Sequence, residues 1–431
     1  MAGWKKMPLG RAGDERSWLS IALFVAACSS DSGDRGASSA GAGGGGSGAS
    51  GGSSGTPGSG GSTSGGAGGT SAGASGSGGA TAGSTGSGGA AGSFGGSDGG
   101  TKQCAHDGAV ADAVVSSGDS LQAAVDAATN GGVIWIGPGT YSCLQIEQRA
   151  FSAAAPLIIR KDPTRTGGAQ IVPGSCWFAV RVVGSSYVVL DGLHVDGGGI
   201  SVYVDQSDHV ILNELEVDNS GQEGVQVRND SSYVDILRSH VHHTGTTEPK
   251  WAECVYVGTG SDQDFPDHTE YVWIEGNDLH HCGAAEGVNI KPEVFHTTVR
   301  GNTIHDIAPG TADQYNESAL TVEGETRDYL RTTPRGIRLE DNEIHNVSLG
   351  RWANCVMVGG TGVTVVGNNV HDCKERGIYG NGFGNLGFPL ALFGNNVTNA
   401  GTQAVWVDPA IELNETDPGP NPQGPQDWYC R

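Results

Sequence analysis

Residues 286–306 read EGVNIKPEVFHTTVRGNTIHD, and the chain rewrites this pattern several times. It holds three short runs rich in Val, Ile and Thr: EGVNIK (Glu286–Lys291), TTVR (Thr297–Arg300) and TIHD (Thr303–Asp306). Short runs that alternate with period two are strands. The first run recurs as ISVYVD (Ile200–Asp205), EGVQVR (Glu223–Arg228), ECVYVG (Glu253–Gly258), SALTVE (Ser318–Glu323), NCVMVG (Asn354–Gly359), RGIYGN (Arg376–Asn381) and QAVWVD (Gln403–Asp408). The second and third runs recur with it, as YVWIEGN then DLHH, GIRLEDN then EIHN, and VTVVGNN then VHD. A spacing of roughly 22 to 36 residues is that of stacked repeats. Helical repeats would need longer runs with 3.6 periodicity. Three short strands per turn, with Gly and Asn between them, predict an all-β parallel β-helix, a solenoid that stacks like residues on like.

Two ladders support this register. Asn277, Asn302, Asn342, Asn368 and Asn395 recur just before the third strand. Asn tolerates the left-handed backbone of a sharp corner, and its amide can satisfy buried backbone groups. His242, His280, His305, His345 and His371 recur inside the third strand. A histidine row raises the question of a metal, but the expectation is a surface stack, because nothing lines up with it to close a coordination shell.

The stretch GDSLQAAVDAATNGGVIWIGPGTY precedes the repeats. Asp119 or Ser120 can cap a short amphipathic helix there, and Gly131–Gly132 would end it. Solenoid ends expose an apolar cross-section, which such a helix would cover. The helix, the VIWIGPGTY strand and the coils together resemble the right-handed parallel β-helix proteins of the pectin-lyase-like superfamily, over roughly residues 104–410. The resemblance implies the fold. It leaves activity open, since this fold hosts lyases, hydrolases, epimerases and non-catalytic adhesins. The paired-aspartate pattern of polygalacturonase-type hydrolases and the R-x-P-x-x-R motif of the main pectate lyases are both missing.

Composition divides the chain into residues 1–28, 29–101 and 102–431. Lys5, Lys6 and Arg11 followed by the apolar run WLSIALFVAA predict an export signal too short to span a bilayer. Its end, VAAC, resembles the bacterial lipoprotein signal, which implies cleavage before Cys28, acylation of that thiol and anchoring at the outer membrane or cell surface. The Gly/Ser/Ala-rich tract 29–101 cannot bury enough apolar surface to fold and predicts a flexible tether. Residues 102–431 then form the β-helix domain. Basic and acidic residues balance in residues 1–101, so the net charge of −23 belongs to that domain and excludes nucleic acid as a partner. A monomer acting on polysaccharide is expected, with the membrane reached only through Cys28.

Long loops flank the first strand of several coils, while the second-to-third corner stays tight. A groove along the first-strand sheet is therefore the expected working face. With Val288 and Ile290 in the core, Asn289 and Lys291 point outward. The same rule places Gln226, Arg228, Tyr256, Gly258 and Glu323 there. Arg228 and Lys291 would lie about 10 Å apart, with Gly258 between them and Glu323 beyond. This suggests a site for a sugar acid. Arg228 would meet the carboxylate, and Lys291, its pKa depressed by neighbouring cations or burial, would take the adjacent proton. Lysine or arginine bases, often with calcium, are what resemblance to polysaccharide lyases implies. Glu223, Glu253 and Glu286 are the candidate calcium ligands, with Asp262, Asp264 and Asp267 as a second set. Outward Tyr203, Tyr256, Tyr379 and Trp406 are candidate sugar platforms, beside Gln226 and Asn289.

The favoured function is thus an exported polysaccharide lyase acting on a uronic-acid polymer. A non-catalytic glycan-binding or adhesion module is one alternative. A glycoside hydrolase using Glu323 with Glu286 or Asp205 is another. Beside Cys28 the chain has eight cysteines, which in an exported protein predict disulfides. Cys254 with Cys282, Cys355 with Cys373, and Cys143 with Cys176 each join positions about one coil apart. Cys104 and Cys430 are left unassigned.

Overall fold

The computed structural model describes residues 110–260, 267–308, 318–324, 334–348, 353–360, 362–382, 389–414, 416–421 and 424–429. The leader with Cys28, the tract 29–101, Cys104, Cys430, Asp262 and Asp264 lie outside them. Among the described residues the chain winds into three parallel sheets. The first-strand sheet has ten strands, from Leu144–Glu147 to Gln403–Val407. The second-strand sheet has twelve, from Ala113–Val115 to Leu413–Asn414. The third-strand sheet has ten, from Gly139–Tyr141 to Asn396–Ala400. Each strand pairs with its counterparts in the coils before and after it, which makes this a parallel β-helix; right-handed winding is the rule for parallel crossovers.

The core follows from stacking. Val257, Ile290, Val322 and Val358 lie in register on successive coils, all without exposed surface. Val299 and Ile304 close the same coil from the other two sheets, equally buried. A β-branched residue suits a pleated, fully buried surface, and burying each is worth about 1.5–3 kcal/mol. The N-terminal end is covered by helix α1 (Leu121–Ala127), with Ser120 Oγ accepting from Ala123 N and with Leu121 and Val125 buried. The helix stops before Gly131–Gly132. Arg149 Nη2 donates to the carbonyls of Val125 and Ala128, and the glycines turn the chain into the next strand with φ of +81° and +129°. A Cβ on Gly131 would lie 2.2 Å from the Ala155 carbonyl oxygen.

The asparagine ladder runs through the second-to-third corner, with one change from expectation. The left-handed residue is the one before each asparagine: Gly276, Gly301, Asp341, Gly367 and Gly394, with φ between +53° and +68°. The asparagines instead satisfy buried backbone. Asn302 Oδ1 accepts from the backbone N and the Nδ2 of Asn277 at 2.9 Å each. Asn302 Nδ2 donates to Ile274 O and to Asn342 Oδ1. The pattern repeats to Asn395. Bridges Cys143–Cys176, Cys254–Cys282 and Cys355–Cys373 are all formed.

Candidate functional site

Three outward columns line the middle of the first-strand sheet. Tyr203, Gln226, Tyr256, Asn289 and Thr321 stack in that order. Beside them Asp205, Arg228, Gly258, Lys291 and Glu323 follow the same register. Glu223, Glu253 and Glu286 precede the three central strands. Most of this floor is covered: Gln226, Asn289, Tyr256 and Lys291 are each less than a tenth exposed.

Lys291 is the centre of the site. Its Nζ donates to Glu323 Oε1 at 2.5 Å and stands 4.6 Å from the centroid of the Tyr256 ring. Burial disfavours its charge, but Glu323, Tyr256, Glu253 and Glu286 around it more than compensate, and its pKa is raised. This corrects the expected depressed lysine: the residue rests as an ammonium. The reason is that the cation Arg228 is two coils away, whereas the carboxylates are immediate neighbours. Gly258, between the two cations in the column, is held to glycine by its backbone and by close packing. It has φ of +93°, and a Cβ there would meet Val294 Cγ2 at 2.3 Å and Lys291 Cβ at 3.0 Å.

A residue the sequence did not reveal holds this arrangement. Arg335 is fully buried. Its Nη1 donates to Glu323 O at 2.5 Å, its Nε to Val294 O at 3.1 Å and its Nη2 to Lys291 O. One guanidinium therefore fixes the backbone of both members of the Lys291–Glu323 pair. It comes from the end of a loop, where no periodicity marks its direction.

Burial raises all three carboxyl groups. Burial, then the neighbouring Glu253, pushes Glu223 up to about 7 and Glu286 up to about 8. Among the described residues the sets of three donors with atoms within 4.8 Å of one another lie elsewhere, so Glu223, Glu253 and Glu286 do not converge on one ion. Asp267 is buried and spent on structure, accepting from Asn229 N, Asp230 N, Thr259 Oγ1 and Thr269 N. Raised carboxyl groups have a consequence for stability. The folded state holds protons that the unfolded chain releases near 4.5, so stability is greatest below that value and falls as pH rises through about 7 to 8. A thermal melt should show a midpoint falling between about pH 5 and pH 8.5, and a Glu223→Gln/Glu286→Gln variant should flatten that slope. An unchanged slope in the variant would count against protonated carboxyls here.

The floor also presents polar atoms without protein partners: Glu223 Oε2, Glu253 Oε2, Asn289 Oδ1, Ser318 Oγ and Thr321 Oγ1. Buried polar atoms are normally bonded, so these five are exceptions on one stretch of the sheet. The aromatic candidates divide. Tyr203 stacks on Phe178 at 4.5 Å and donates its hydroxyl to Asp205. Tyr379 and Trp406 lie 5.1 Å apart, with Arg376 over both rings. Tyr203 lies three coils before the Lys291 coil and Tyr379 three coils after it, whereas Tyr256 sits beside Lys291.

A family model described as "Right handed beta helix region" matches residues 178–326. No curated protein sequence matches the chain. Among solved structures, the alginate lyase from Paenibacillus sp. str. FPU-7 is similar at a TM-score of 0.54 and 22% identity, over 68% of this chain and 98% of that one. Pectate lyase Pel9A is similar at a TM-score of 0.49 and 16% identity, over 68% and 79%. The chain has the right-handed parallel β-helix fold.

Proposed function

We propose that the protein is a polysaccharide lyase that cleaves a uronic-acid polymer by β-elimination in the first-strand groove. The observation that carries this reading is the buried Lys291–Tyr256 pair, with Arg228 two coils away in the same column as Lys291. Elimination needs the substrate carboxylate neutralised, a base for the proton beside it and an acid for the leaving oxygen. Arg228 answers the carboxylate, helped by the amides of Gln226 and Asn289. The Tyr256 phenolate, formed against the Lys291 charge, takes the proton from C5. The C4–C5 double bond forms as the C4–oxygen bond breaks, and Lys291 gives its proton to the departing oxygen. The phenol then returns its proton to the amine. Burial raises the Tyr256 pKa and Lys291 offsets this only in part, so it stays raised and the rate should climb with pH on the alkaline side. Glu323 and Arg335 hold Lys291 in position.

Two carboxylate readings are weaker. Asp205 and Glu323 are four coils apart, about 19 Å, twice the widest spacing of a hydrolase pair. Glu323 is also engaged by Lys291, which removes it as a partner for Glu286. Export on a leader ending at Cys28, with residues 29–101 as a tether, belongs to the same proposal.

The test is ultraviolet absorbance of unsaturated products from the full chain with alginate, pectate and other uronate polymers, each with calcium and with chelator. Alginate comes first because the similar solved structure is an alginate lyase. Rising absorbance on one polymer is expected. New reducing ends without absorbance would replace the lyase by a hydrolase, and tight binding without either would make the groove a glycan-binding surface.

A further inference from the structure

The third-strand sheet carries chemistry that the groove does not use. Two outward columns run along it in register: His194, Glu216, His240 and Asp278 in one, and Asp218, His242, His280, His305, His345 and His371 in the other. Most of the second column is the expected ring stack. His305–His345 and His345–His371 lie 5.1 and 5.0 Å apart with nearly parallel planes. There Asp278 faces His305 at 2.9 Å, with His240 Nε2 4.0 Å from its other oxygen, and Glu343 faces His371 at 2.7 Å; His240, Asp278 and His280 also offer donor atoms within 4.8 Å of one another.

The arrangement differs at Glu216. Its two oxygens face two imidazoles of one strand, Oε1 at 2.7 Å from His242 Nε2 and Oε2 at 3.1 Å from His240 Nδ1. The three residues offer donor atoms all within 4.8 Å of one another. Ligands on a tetrahedral ion with bonds of about 2.0–2.1 Å stand about 3.3 Å apart, so a small rotation of the side chains would admit one. The far nitrogen of each histidine is also held. His240 Nε2 is 2.7 Å from His280 Nε2, and His242 Nδ1 is 2.6 Å from His243 Nδ1. If each ligand histidine donates through that far nitrogen, both near nitrogens are left as lone pairs aimed at the Glu216 carboxylate. Second partners of this kind fix ring orientation and tautomer in metal sites. Two histidines two residues apart on a strand share a face, and the strand below supplies the carboxylate by register alone.

We propose that Glu216, His240 and His242 bind one divalent first-row transition metal ion, of the zinc class, on the outer face of the third-strand sheet. Two imidazoles and one carboxylate suit zinc and its neighbours more than calcium, which takes oxygen. Three protein ligands leave a fourth position for water or a ligand from outside. The site is separate from the proposed elimination chemistry and stands or falls without it.

The full chain, freed of metal by chelator and dialysed, should be titrated with cobalt(II) and zinc(II). The expected result is one ion per chain, with cobalt giving the intense visible bands of a tetrahedral site and zinc displacing it. Glu216→Gln and His242→Ala should each weaken binding at least about a hundredfold, while His371→Ala, in the same stack four coils on from His242, should leave it unchanged. These side chains lie on the outer face, and circular dichroism of each variant confirms that the coils are kept. Absence of stoichiometric binding would overturn the proposal. So would binding that Glu216→Gln leaves intact, or that His371→Ala weakens equally, since either would mark adventitious capture by the histidine row.

Discussion

Lys291→Ala is expected to lower turnover on the uronate polymer by about a hundred- to ten-thousandfold, with little change in substrate affinity. Tyr256→Phe should fall by a similar factor, because it keeps the ring under the ammonium and removes only the proton-carrying oxygen. The double variant should be scarcely worse than either single one, since the two groups act as a unit in passing one proton. Lys291→Arg makes the informative control. It keeps the positive charge, but a guanidinium does not give up a proton at working pH, so activity should stay low. Arg228→Ala should instead raise KM more than it lowers kcat, as expected for a group that meets the substrate carboxylate. Full activity in Tyr256→Phe would sink the proposed assignment of the base. Recovery in Lys291→Arg would show that charge is all that the position supplies.

The largest expected effect on stability lies away from the groove. Asn302→Ala would take a partner from Ile274 O, from the backbone N of Asn277, and from Asn342 Oδ1 and Asn277 Nδ2, of which the last two keep the Asn302 backbone N and Ile236 O. Asn302 is 1% exposed, so little water reaches those atoms to replace the amide. Leaving buried groups unsatisfied costs about 1–3 kcal/mol each, and allowing for relaxation the total should be about 3–5 kcal/mol. Denaturant unfolding followed by circular dichroism measures it. Asn396→Ala is the comparison, an exposed residue that donates to Asn369 Oδ1, and should stay within about 0.5 kcal/mol of the parent. A loss under about 1 kcal/mol for Asn302→Ala would mean that the ladder tolerates gaps.

The register of the coils was legible because each strand has period two and each coil repeats the last. Val288 and Ile290 inward and Asn289 and Lys291 outward follow from alternation alone, as does the stacking of Arg228, Gly258, Lys291 and Glu323. The three bridges were legible for the same reason, since one turn of a solenoid returns each cysteine to its partner. Charge state was not legible. Lys291 was expected to be depressed by a neighbouring cation, but a residue's pKa depends on which side chains turn toward it, and Glu323, Glu253 and Glu286 do. The role of Arg335 was hidden in a loop without pattern. The histidine row was visible, whereas the pairing of Glu216 with His240 and His242 needed the neighbouring column, which a search along one column does not meet.

What the sequence determined by itself is the solenoid: which residues face the core and which stack. These depend on periodicity and on like stacking upon like, and both are written along the chain. What only the tertiary structure decided is the state of the groups on the surface. The raised pKa values of Lys291 and of the three glutamates, the staple made by Arg335 and the closeness of Glu216 to His240 and His242 all depend on distances of a few ångströms between side chains from different coils. Electrostatic and hydrogen-bond energies change steeply over such distances, and no repeat in the sequence encodes them.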